Sequence, residues 1–309
     1  MDILSDILRT VEIQGSLYFH TNFTPPWGLT VPRHRNVARF HLVTSGNCTV
    51  RVEGIDEIVR LEEGDLLVIT RGAEHILSDE KSEPPFLGVD EVIEKSGFKG
   101  HGSLVWGGNE TVEATRLVCG HFSFNPDRGK FYLEALPAFI HVPNSEIQHY
   151  GWLDSAAGFI AHEAFQGEMG SEAILNRLAE IAFIQTIRTY AKKHSEPKGL
   201  FAALTDNHLH LVLEAIHKDP MTDWTVEALA RIAGTSRTVL SERMQEVFGI
   251  SPIAYLTVWR MELAHERLSK GNEPIVEVSE SVGYQSLSSF SRRFKKHFGR
   301  NPGEVRRCG

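Results

Sequence analysis

The chain has 309 residues, more than one hydrophobic core usually holds, so two domains are expected. Its hydrophobic and charged fractions, 41% and 23%, are those of a globular protein, and no apolar run reaches the roughly 18 residues of a membrane span. Met1 to Thr10 mixes acids into its apolar residues, unlike the basic and then hydrophobic pattern of a signal peptide, and the three cysteines, Cys48, Cys119 and Cys308, have no paired spacing. We therefore expect a cytoplasmic protein without disulfides or a membrane partner.

The net charge of −8 is unevenly distributed. Lys and Arg number 18 against 27 Asp and Glu in residues 1–204, but 14 against 13 in residues 205–309. From Ser286 to Gly309 there are seven basic residues and a single acid, Glu304. Because such a local basic excess suits phosphate contact, the C-terminal end is the candidate nucleic-acid surface.

Short strands separated by turn residues are predicted in the first half of the chain. The strands are Ala38 to Thr44, Cys48 to Val52, Ile58 to Leu61 and Leu66 to Ile69. The turns are Gly46-Asn47, Glu53-Gly54 and Glu63-Gly64. Short strands at this spacing are typical of an antiparallel sandwich or barrel, which can enclose a pocket.

Helical periodicity begins near Ser171. Apolar or small residues recur at three- and four-residue spacing, at Ile174, Leu175, Leu178, Ile181, Ala182 and also Gln185, and predict one long helix to His194. Ser195 to Gly199 is the candidate linker, and helical patterns continue to the end. These boundaries define a first domain (1–170), a connecting helix and linker (171–204) and an all-α domain (205–309).

A helix-turn-helix unit is predicted from Val226. The small Ala230 lets two helices approach closely, Gly234 suits the turn, and Ser236 can cap the second helix. The core face of that second helix is expected to consist of Leu240, Met244 and Val247.

A second copy begins at Ile275, with Ser279 and Gly283 at the same four-residue spacing and a turn one residue longer. Its second helix has a core stripe of Phe290, Phe294 and Phe298. Between the two copies, Pro252 to Ser269 is predicted to form one long helix.

Two such units joined by a helix resemble the DNA-binding domain of the AraC/XylS family of transcription regulators. The resemblance extends from about Asn207 to Arg307 and includes the Gly249 to Pro252 turn, the Trp259-Arg260 pair and the stretch from Gly283 to Pro302. It implies that both recognition helices enter successive major grooves, a turn of about 34 Å apart. It also implies double-stranded DNA, RNA polymerase and a second copy of the chain as partners.

The candidate DNA contacts are the residues in and beside each recognition helix that lie outside its core face. Arg292 is the first candidate for a base contact, because its guanidinium can pair with both acceptors of guanine. Arg293, Lys296 and Gln285 are expected to contact phosphates. The remaining candidates are Arg237, Thr238, Ser241, Glu242 and Gln245 in the first unit and Ser286, Leu287, Ser288, Ser291 and Lys295 in the second.

Glu242 stands where members of the family commonly have Arg, and Arg243 follows it. A carboxylate is repelled by phosphates but can accept a hydrogen bond from the cytosine amine. Glu242 therefore either specifies cytosine or weakens binding by the first unit. We expect most of the affinity to come from the second unit.

The segment Leu61 to His75 resembles the second conserved motif of the cupin barrel. The residues that match are Gly64, Asp65, Gly72 and His75, whereas Thr70 stands where the motif has proline. The whole stretch from Ile3 to Leu153 resembles the cupin-like sensor domain fused to AraC-type regulators. This resemblance implies an antiparallel barrel or jelly roll, and hence an α+β chain of two domains.

Enzymatic cupins bind a metal through the position of His75 and a first motif, of which this chain retains only His41. His41, His75, Cys119 and His121 could instead form a site for zinc or another transition metal. Hydrogen-bonded core histidines and a core cysteine explain the same residues. A small ligand in the barrel is expected to contact Trp27, His41 and His75.

The sequence thus predicts a non-enzymatic, sequence-specific DNA-binding transcription regulator controlled by a small ligand. One alternative is a barrel that serves only dimerisation or a protein partner. Another is a metal-dependent cupin enzyme joined to a DNA-binding domain, against which the incomplete first motif argues. The helix from Ser171 to His194 either contacts a second copy or packs on its own barrel.

Overall fold

A computed structural model describes residues 2–100, 102–108, 113–125, 128–147, 155, 159–160, 162–163, 168–193, 203 and 205–308. The chain forms two compact units. The barrel unit consists of Ile13–Phe124 and Pro137–Lys193, and the helical unit of Met1–Glu12, Asn125–Leu136 and His194–Gly309. The predicted α+β class, with a β-rich first part and a helical second part, is confirmed.

The strands all lie in the barrel unit. They are β1 Gln14–Thr24, β2 Gly28–Val31, β3 Val37–Ser45, β4 Cys48–Val52, β5 Ile58–Leu61, β6 Leu66–Ile69, β7 His75–Ser78, β8 Ser103–Gly107, β9 Arg116–Ser123 and β10 Phe139–Val142. One sheet has the order β10-β6-β3-β9-β1-β8 and the other β2-β7-β4-β5. All neighbours are antiparallel except β1 and β8, which pair in parallel.

The helices are α1 Ile3–Val11, α2 Val89–Ser96, α3 Lys130–Glu134, α4 Asn144–Ile147, α5 Ser171–Lys193, α6 Asn207–Lys218, α7 Val226–Ile232, α8 Arg237–Phe248, α9 Pro252–Lys270, α10 Ile275–Ser281, α11 Leu287–Phe298 and α12 Pro302–Cys308. Helices α2, α4 and α5 belong to the barrel unit, and the others to the helical unit. The predicted long helices correspond to α5 and α9, and the predicted strands to β3 to β6.

Alternation along β3 separates the interior of the barrel from its outer face. Arg39 and His41 point to the interior, together with Val43, which joins the core between the two sheets. Phe40 points outward and packs on Phe122, with ring centroids 5.0 Å apart. The central pairing of β3 with β9 places His41 directly opposite Cys119.

Helix α5 packs on its own barrel. Its buried face consists of Leu175, Ala179, Ala182, Phe183 and Ile187, and Phe183 lies 4.7 Å from Phe122 between ring centroids. Of the residues that carried the predicted periodicity, Ile174 and Ile181 are instead exposed on the adjacent face. The helix therefore has two apolar stripes, of which its own barrel covers one.

The domain boundaries predicted from the sequence need two corrections. Residues 1–12 and 125–136, which the sequence places within the first domain, pack in the helical unit. Helix α1 buries Ile3 and Ile7, and its Asp6 carboxylate lies 3.3 Å from Nδ1 of His217. In addition, the connecting helix α5 belongs to the barrel unit rather than forming a separate segment. Apolar spacing predicts that a helix packs, but not on which neighbour.

Candidate DNA-binding surface and barrel cavity

The first helix-turn-helix unit consists of α7 and α8 with a four-residue turn. Ala230 is 3% exposed where the helices meet, and Gly234 has a φ of +63° in the turn. The Ser236 hydroxyl accepts a hydrogen bond from the Val239 amide over 3.2 Å and so caps α8. These three roles are those predicted from the sequence.

The second unit consists of α10 and α11, with five residues between Ser281 and Leu287, so the predicted longer turn is confirmed. Ser279 is buried at the helix crossing, and Gly283 has a φ of +82°. A Cβ atom at Gly283 would lie 2.7 Å from Nη2 of Arg260. The turn of the second unit therefore packs directly on helix α9.

Helix α9 connects the two helix-turn-helix units, and its Trp259-Arg260 pair holds it against the rest of the helical unit. The Arg260 guanidinium donates to the carbonyl oxygens of Pro220 and Thr222 over 2.6 and 3.0 Å. Trp259 is buried and stacks on His217 with ring centroids 3.9 Å apart. The Trp259-Arg260 pair is part of the family resemblance found in the sequence. Its contacts lie within the helical unit, so the pair anchors α9 rather than contacting DNA.

The core faces of the recognition helices agree with prediction except at the end of α8. Leu240 and Met244 are buried, but Phe248 rather than Val247 completes the face, because it keeps the four-residue spacing of the other two, and Val247 is half-buried beside it. In α11, Phe290 and Phe294 are fully buried, and Phe298 is half-buried beside them.

The predicted DNA contacts lie mainly on the exposed faces of these helices. Two are half-buried, Ser241 and Ser291. The exposed ones are Arg237, Thr238, Glu242, Gln245, Gln285, Ser286, Leu287, Ser288, Arg292, Arg293, Lys295 and Lys296. The surface of the helical unit thus presents both predicted sets to solvent.

The two recognition helices differ in charge. Helix α11 carries four basic side chains, Arg292, Arg293, Lys295 and Lys296, and no acid. Arg293 is hydrogen-bonded to Tyr284, whereas Arg292, Lys295 and Lys296 form no ion pair with any described residue. We call the exposed surface formed by these four residues the basic face.

In α8 the charges cancel, since Arg237 and Arg243 stand against Glu242 and Glu246. Arg237 is bound by Glu227 and Arg243 by Asp206. Glu242 is exposed and has no ion pair within the described residues. The first unit therefore presents a free carboxylate where the second presents free cations.

The barrel unit contains a cavity of about 230 Å³ between its sheets and helix α2. Its inner wall is apolar, with Phe23, Leu29 and Leu77 all at most 2% exposed. Its exposed mouth is formed by Tyr18, Pro32, His34 and Asp90. Of the three residues expected to line it, only His41 does so.

Trp27 and His75 lie behind the cavity wall, which corrects their expected role. Trp27 packs on Phe23 with ring centroids 4.9 Å apart, and Phe23 forms the wall. His75 lies behind His41, with 2.9 Å between their Nε2 atoms. Alternation along a strand predicts which side chains face the interior of the barrel. It does not predict whether an interior side chain lines the cavity or packs behind the residues that do.

His41, His75 and Cys119 form a hydrogen-bonded chain. Nδ1 of His75 lies 2.9 Å from the Ala73 carbonyl, to which it must donate, so Nε2 of a neutral His75 accepts from His41. Nδ1 of His41 then accepts from the Cys119 thiol at 3.2 Å. Burial lowers the pKa of His75 to about 4 and that of His41 well below its ordinary value, and burial raises the pKa of the Cys119 thiol.

The hydrogen-bonded residues His41, His75 and Cys119 do not form the metal site that was considered from the sequence. His41 uses its two ring nitrogens in opposite directions, toward His75 and Cys119, so the three side chains do not converge on one point. His121 is instead stacked on Tyr18 with ring centroids 4.6 Å apart. Within the described residues, no group of three or more His, Cys, Asp or Glu side chains is arranged to hold a metal ion. The positions of His41, His75, Cys119 and His121 therefore do not fit the metal site of a cupin enzyme.

Two features of the structure were missed from the sequence. Arg39 is buried beside the cavity, two residues from His41 on the same face of β3. Arg128 is buried in the helical unit against Glu12, Glu262 and Glu266. Period-two alternation from His41 could have identified Arg39, whereas nothing in the sequence pairs Arg128 with Glu12.

Paired helix-turn-helix units with an exposed basic face on a recognition helix define a DNA-binding protein, and a separate two-sheet barrel with an internal cavity precedes them in the chain. In the described part of the chain, every helix is too short or too polar to cross a lipid bilayer.

Residues 2–192 match the model of a cupin family, and residues 229–308 match a helix-turn-helix domain. A protein of Streptomyces lividans described as an AraC-like transcription regulator is 32% identical over 99% of this chain and 98% of its own. The RCS-specific HTH-type transcriptional activator RclR of Escherichia coli is 27% identical over 99% of this chain and 97% of its own. The chain therefore belongs to the AraC-like transcription regulators and is a DNA-binding protein.

Among solved structures, the C-terminal domain of AraT, a response regulator from Geobacillus stearothermophilus, is 36% identical and covers 34% of this chain and 88% of its own, with a TM-score of 0.32. The relatives are named as transcription regulators.

Proposed function

We propose that a small molecule bound in the barrel cavity controls DNA binding by the two helix-turn-helix units. The observation that carries this proposal is the apolar cavity of about 230 Å³, which is enclosed on its inner side by buried Phe23, Leu29 and Leu77. Protein interiors are normally filled to the density of organic crystals, so a cavity of this size in a core is a feature of binding proteins. No catalytic activity is proposed.

The basic face of α11 supplies most of the DNA affinity in this proposal. Arg292 contacts a guanine in the major groove, since its guanidinium is exposed and has no ion pair among the described residues. Lys296, Gln285 and Arg293 contact phosphates, although Arg293 must release Tyr284 to do so fully.

Helix α8 makes the weaker contribution, because its two arginines are bound by Glu227 and Asp206. Thr238 and Gln245 remain exposed beside Glu242. Measuring the binding of Glu242→Ala to a set of base-substituted operators separates the two roles of this carboxylate. A relaxed preference at one cytosine identifies a base contact, a uniform gain in affinity identifies repulsion, and no change contradicts both.

A second copy of the chain and RNA polymerase complete the proposed set of partners. The exposed stripe on α5, with Ile174 and Ile181 at 48% and 44% exposure, supports a dimer contact on this helix. Light scattering of the Ile181→Glu variant tests it: we expect a monomer, whereas Arg188→Glu, at another exposed position of the same helix, should leave the mass unchanged.

Selection of bound sequences from random DNA, with and without cell extract, tests the whole proposal. We expect a bipartite site whose stronger half is read by α11, and recovery that changes when extract is present. A purified metabolite that restores the change should also raise the melting temperature, since a ligand at about 100 times its Kd stabilises by about 2.7 kcal/mol. A bipartite site without any effect of extract or metabolites would favour a barrel that serves only dimerisation or a protein partner.

A further inference from the structure

We propose that the barrel cavity accepts a small monocarboxylate, whose acid group pairs with Arg39 and whose apolar body lies against the inner wall. This inference rests on the proposed function and names the chemical class of its ligand.

Arg39 is a buried cation with few partners. The residue is 8% exposed and lines the cavity next to His41. Its Nη2 atom donates to the Pro32 carbonyl over 3.3 Å, and its guanidinium carbon lies 5.7 Å from the centroid of the Tyr18 ring. Its Nε atom is buried without a hydrogen-bond partner, and Arg39 forms no ion pair with any described residue.

The other arginines that are at least nine-tenths buried in the described chain are well compensated. The Nε atom of Arg128 also lacks a hydrogen-bond partner, but Arg128 has three carboxylates within 4 Å, and Arg260 donates to three carbonyl oxygens. A buried charge left without such partners is costly. The position of Arg39 on a cavity wall therefore points to an anion from outside the chain as its missing partner.

The groups around Arg39 favour one negative charge rather than two. His41 is neutral and the Cys119 thiol is protonated, because burial lowers the pKa of the histidine and raises that of the cysteine. His34 and the carboxylate of Asp90 lie at the exposed mouth, and Asp90 would repel a second anionic charge. A single guanidinium offers parallel N–H donors that match the two oxygens of a carboxylate.

The size and chemistry of the wall define the rest of the ligand. The cavity of about 230 Å³ is larger than the roughly 150 Å³ that holds a benzene molecule. Phe19, Leu77 and Ile93 contribute apolar surface around it. One ring or a short alkyl chain would therefore fill the space left beside the acid group.

Binding of matched acids and amides to the full-length protein tests the inference. The probes are hexanoate, phenylacetate and cyclohexanecarboxylate, each compared with its uncharged amide by calorimetry and thermal shift at neutral pH. We expect acids to bind about ten- to hundredfold more tightly than the amides, the range of a charge-assisted hydrogen-bonded pair. Arg39→Gln should abolish that preference, and Arg35→Gln, an exposed neighbour, should retain it.

Arg39→Lys provides a second variant if Arg39→Gln does not fold, as judged by circular dichroism. Because lysine keeps the charge but loses the Nε donor, it should keep a reduced preference for acids. Equal binding of acids and amides would overturn the carboxylate inference and leave control by an uncharged ligand standing. An acid preference that survives in Arg39→Gln would also overturn it, as would failure of every probe at millimolar concentration. The metabolite screen described above judges ligand control independently.

Discussion

The Arg128 guanidinium donates from Nη1 to Oε1 of Glu12 over 2.9 Å, although the two residues are 116 positions apart in the chain. The Arg128 side chain is fully buried and also lies 3.8 Å from Glu262 and 3.4 Å from Glu266, both on helix α9. Two segments from the barrel half of the sequence are thus joined to the helix that connects the DNA-binding units. This cluster is part of the helical unit itself.

Replacing Arg128 with Met is expected to destabilise the helical unit by about 3 to 5 kcal/mol, because three carboxylates lose their buried counterion. Urea denaturation followed by far-ultraviolet circular dichroism measures the effect. Lys130→Ala is the matched control, since Lys130 is exposed and its one ion pair with a described residue is to Glu134, and it should cost less than about 1 kcal/mol. Equal losses in the two variants would show that the cluster contributes nothing beyond a surface ion pair.

Gly234 and Gly283 occupy equivalent turns, and we expect their replacement by Ala to have unequal effects. Both have positive φ, so each substitution costs about 1 to 2 kcal/mol of backbone strain. A Cβ at Gly234 meets nothing within 4 Å, whereas at Gly283 it would lie 2.7 Å from Arg260 Nη2 and 3.0 Å from the Met221 carbonyl. Gly283→Ala should therefore lose about 1 to 3 kcal/mol more than Gly234→Ala. Unfolding free energies of the two variants test this, and equal values would contradict it.

The sequence predicts the features that depend on local periodicity and turn chemistry. Strands β4 to β6 and the roles of Ala230 and Gly234 follow from alternation, small-residue spacing and turn glycines. It does not predict contacts between distant segments. Residues 1–12 and 125–136 join the helical unit through contacts such as Arg128 with Glu12 and Asp6 with His217, and these partners are set only by the folded chain.

The side chains that line the barrel cavity were also only partly predicted from the sequence. The sequence placed His41 and His75 together but could not tell which of them faces the cavity. The cupin-motif glycine Gly72 has a local explanation, since its φ is +57° and a Cβ there would lie 2.0 Å from the His34 carbonyl. The motif resemblance therefore corresponds to a structural position here, whereas the side chains that line the cavity are set by the three-dimensional fold.

The neutral pair of His41 and His75 predicts acid sensitivity of the barrel unit. The pKa of His75 is about 4 in the folded chain and 6.5 ordinarily, so the unfolded chain binds more protons between these values. The contribution of His75 is complete above pH 6.5 and is lost as the pH falls toward 4, by about 3 kcal/mol in total. We expect His75→Gln to show a shallower loss between pH 7 and pH 5 than the wild type does, roughly 2 kcal/mol less.

Denaturation at several pH values measures this dependence. His34→Gln is the control, because His34 is exposed at the mouth of the same cavity. It should retain the pH dependence of the wild type. Parallel curves for wild type and His75→Gln would rule out His75 as the source of the acid sensitivity.

Arg292 and Lys296 should differ in how their loss affects DNA binding, although both belong to the basic face of α11. Arg292→Ala is expected to weaken binding by about 1 to 3 kcal/mol and to relax the preference at a single base pair, because a guanidinium reads guanine through two acceptors. Lys296→Ala should weaken binding to all sequences alike and lower the salt dependence by about one released counterion. Fluorescence anisotropy against every single-base variant of the selected operator, at several salt concentrations, separates these outcomes. Lys99→Ala, an exposed basic position of the barrel unit, controls for net charge and should leave both quantities unchanged. An unaltered base preference in Arg292→Ala would place its guanidinium on the phosphate backbone and leave another residue of α11 to read the base.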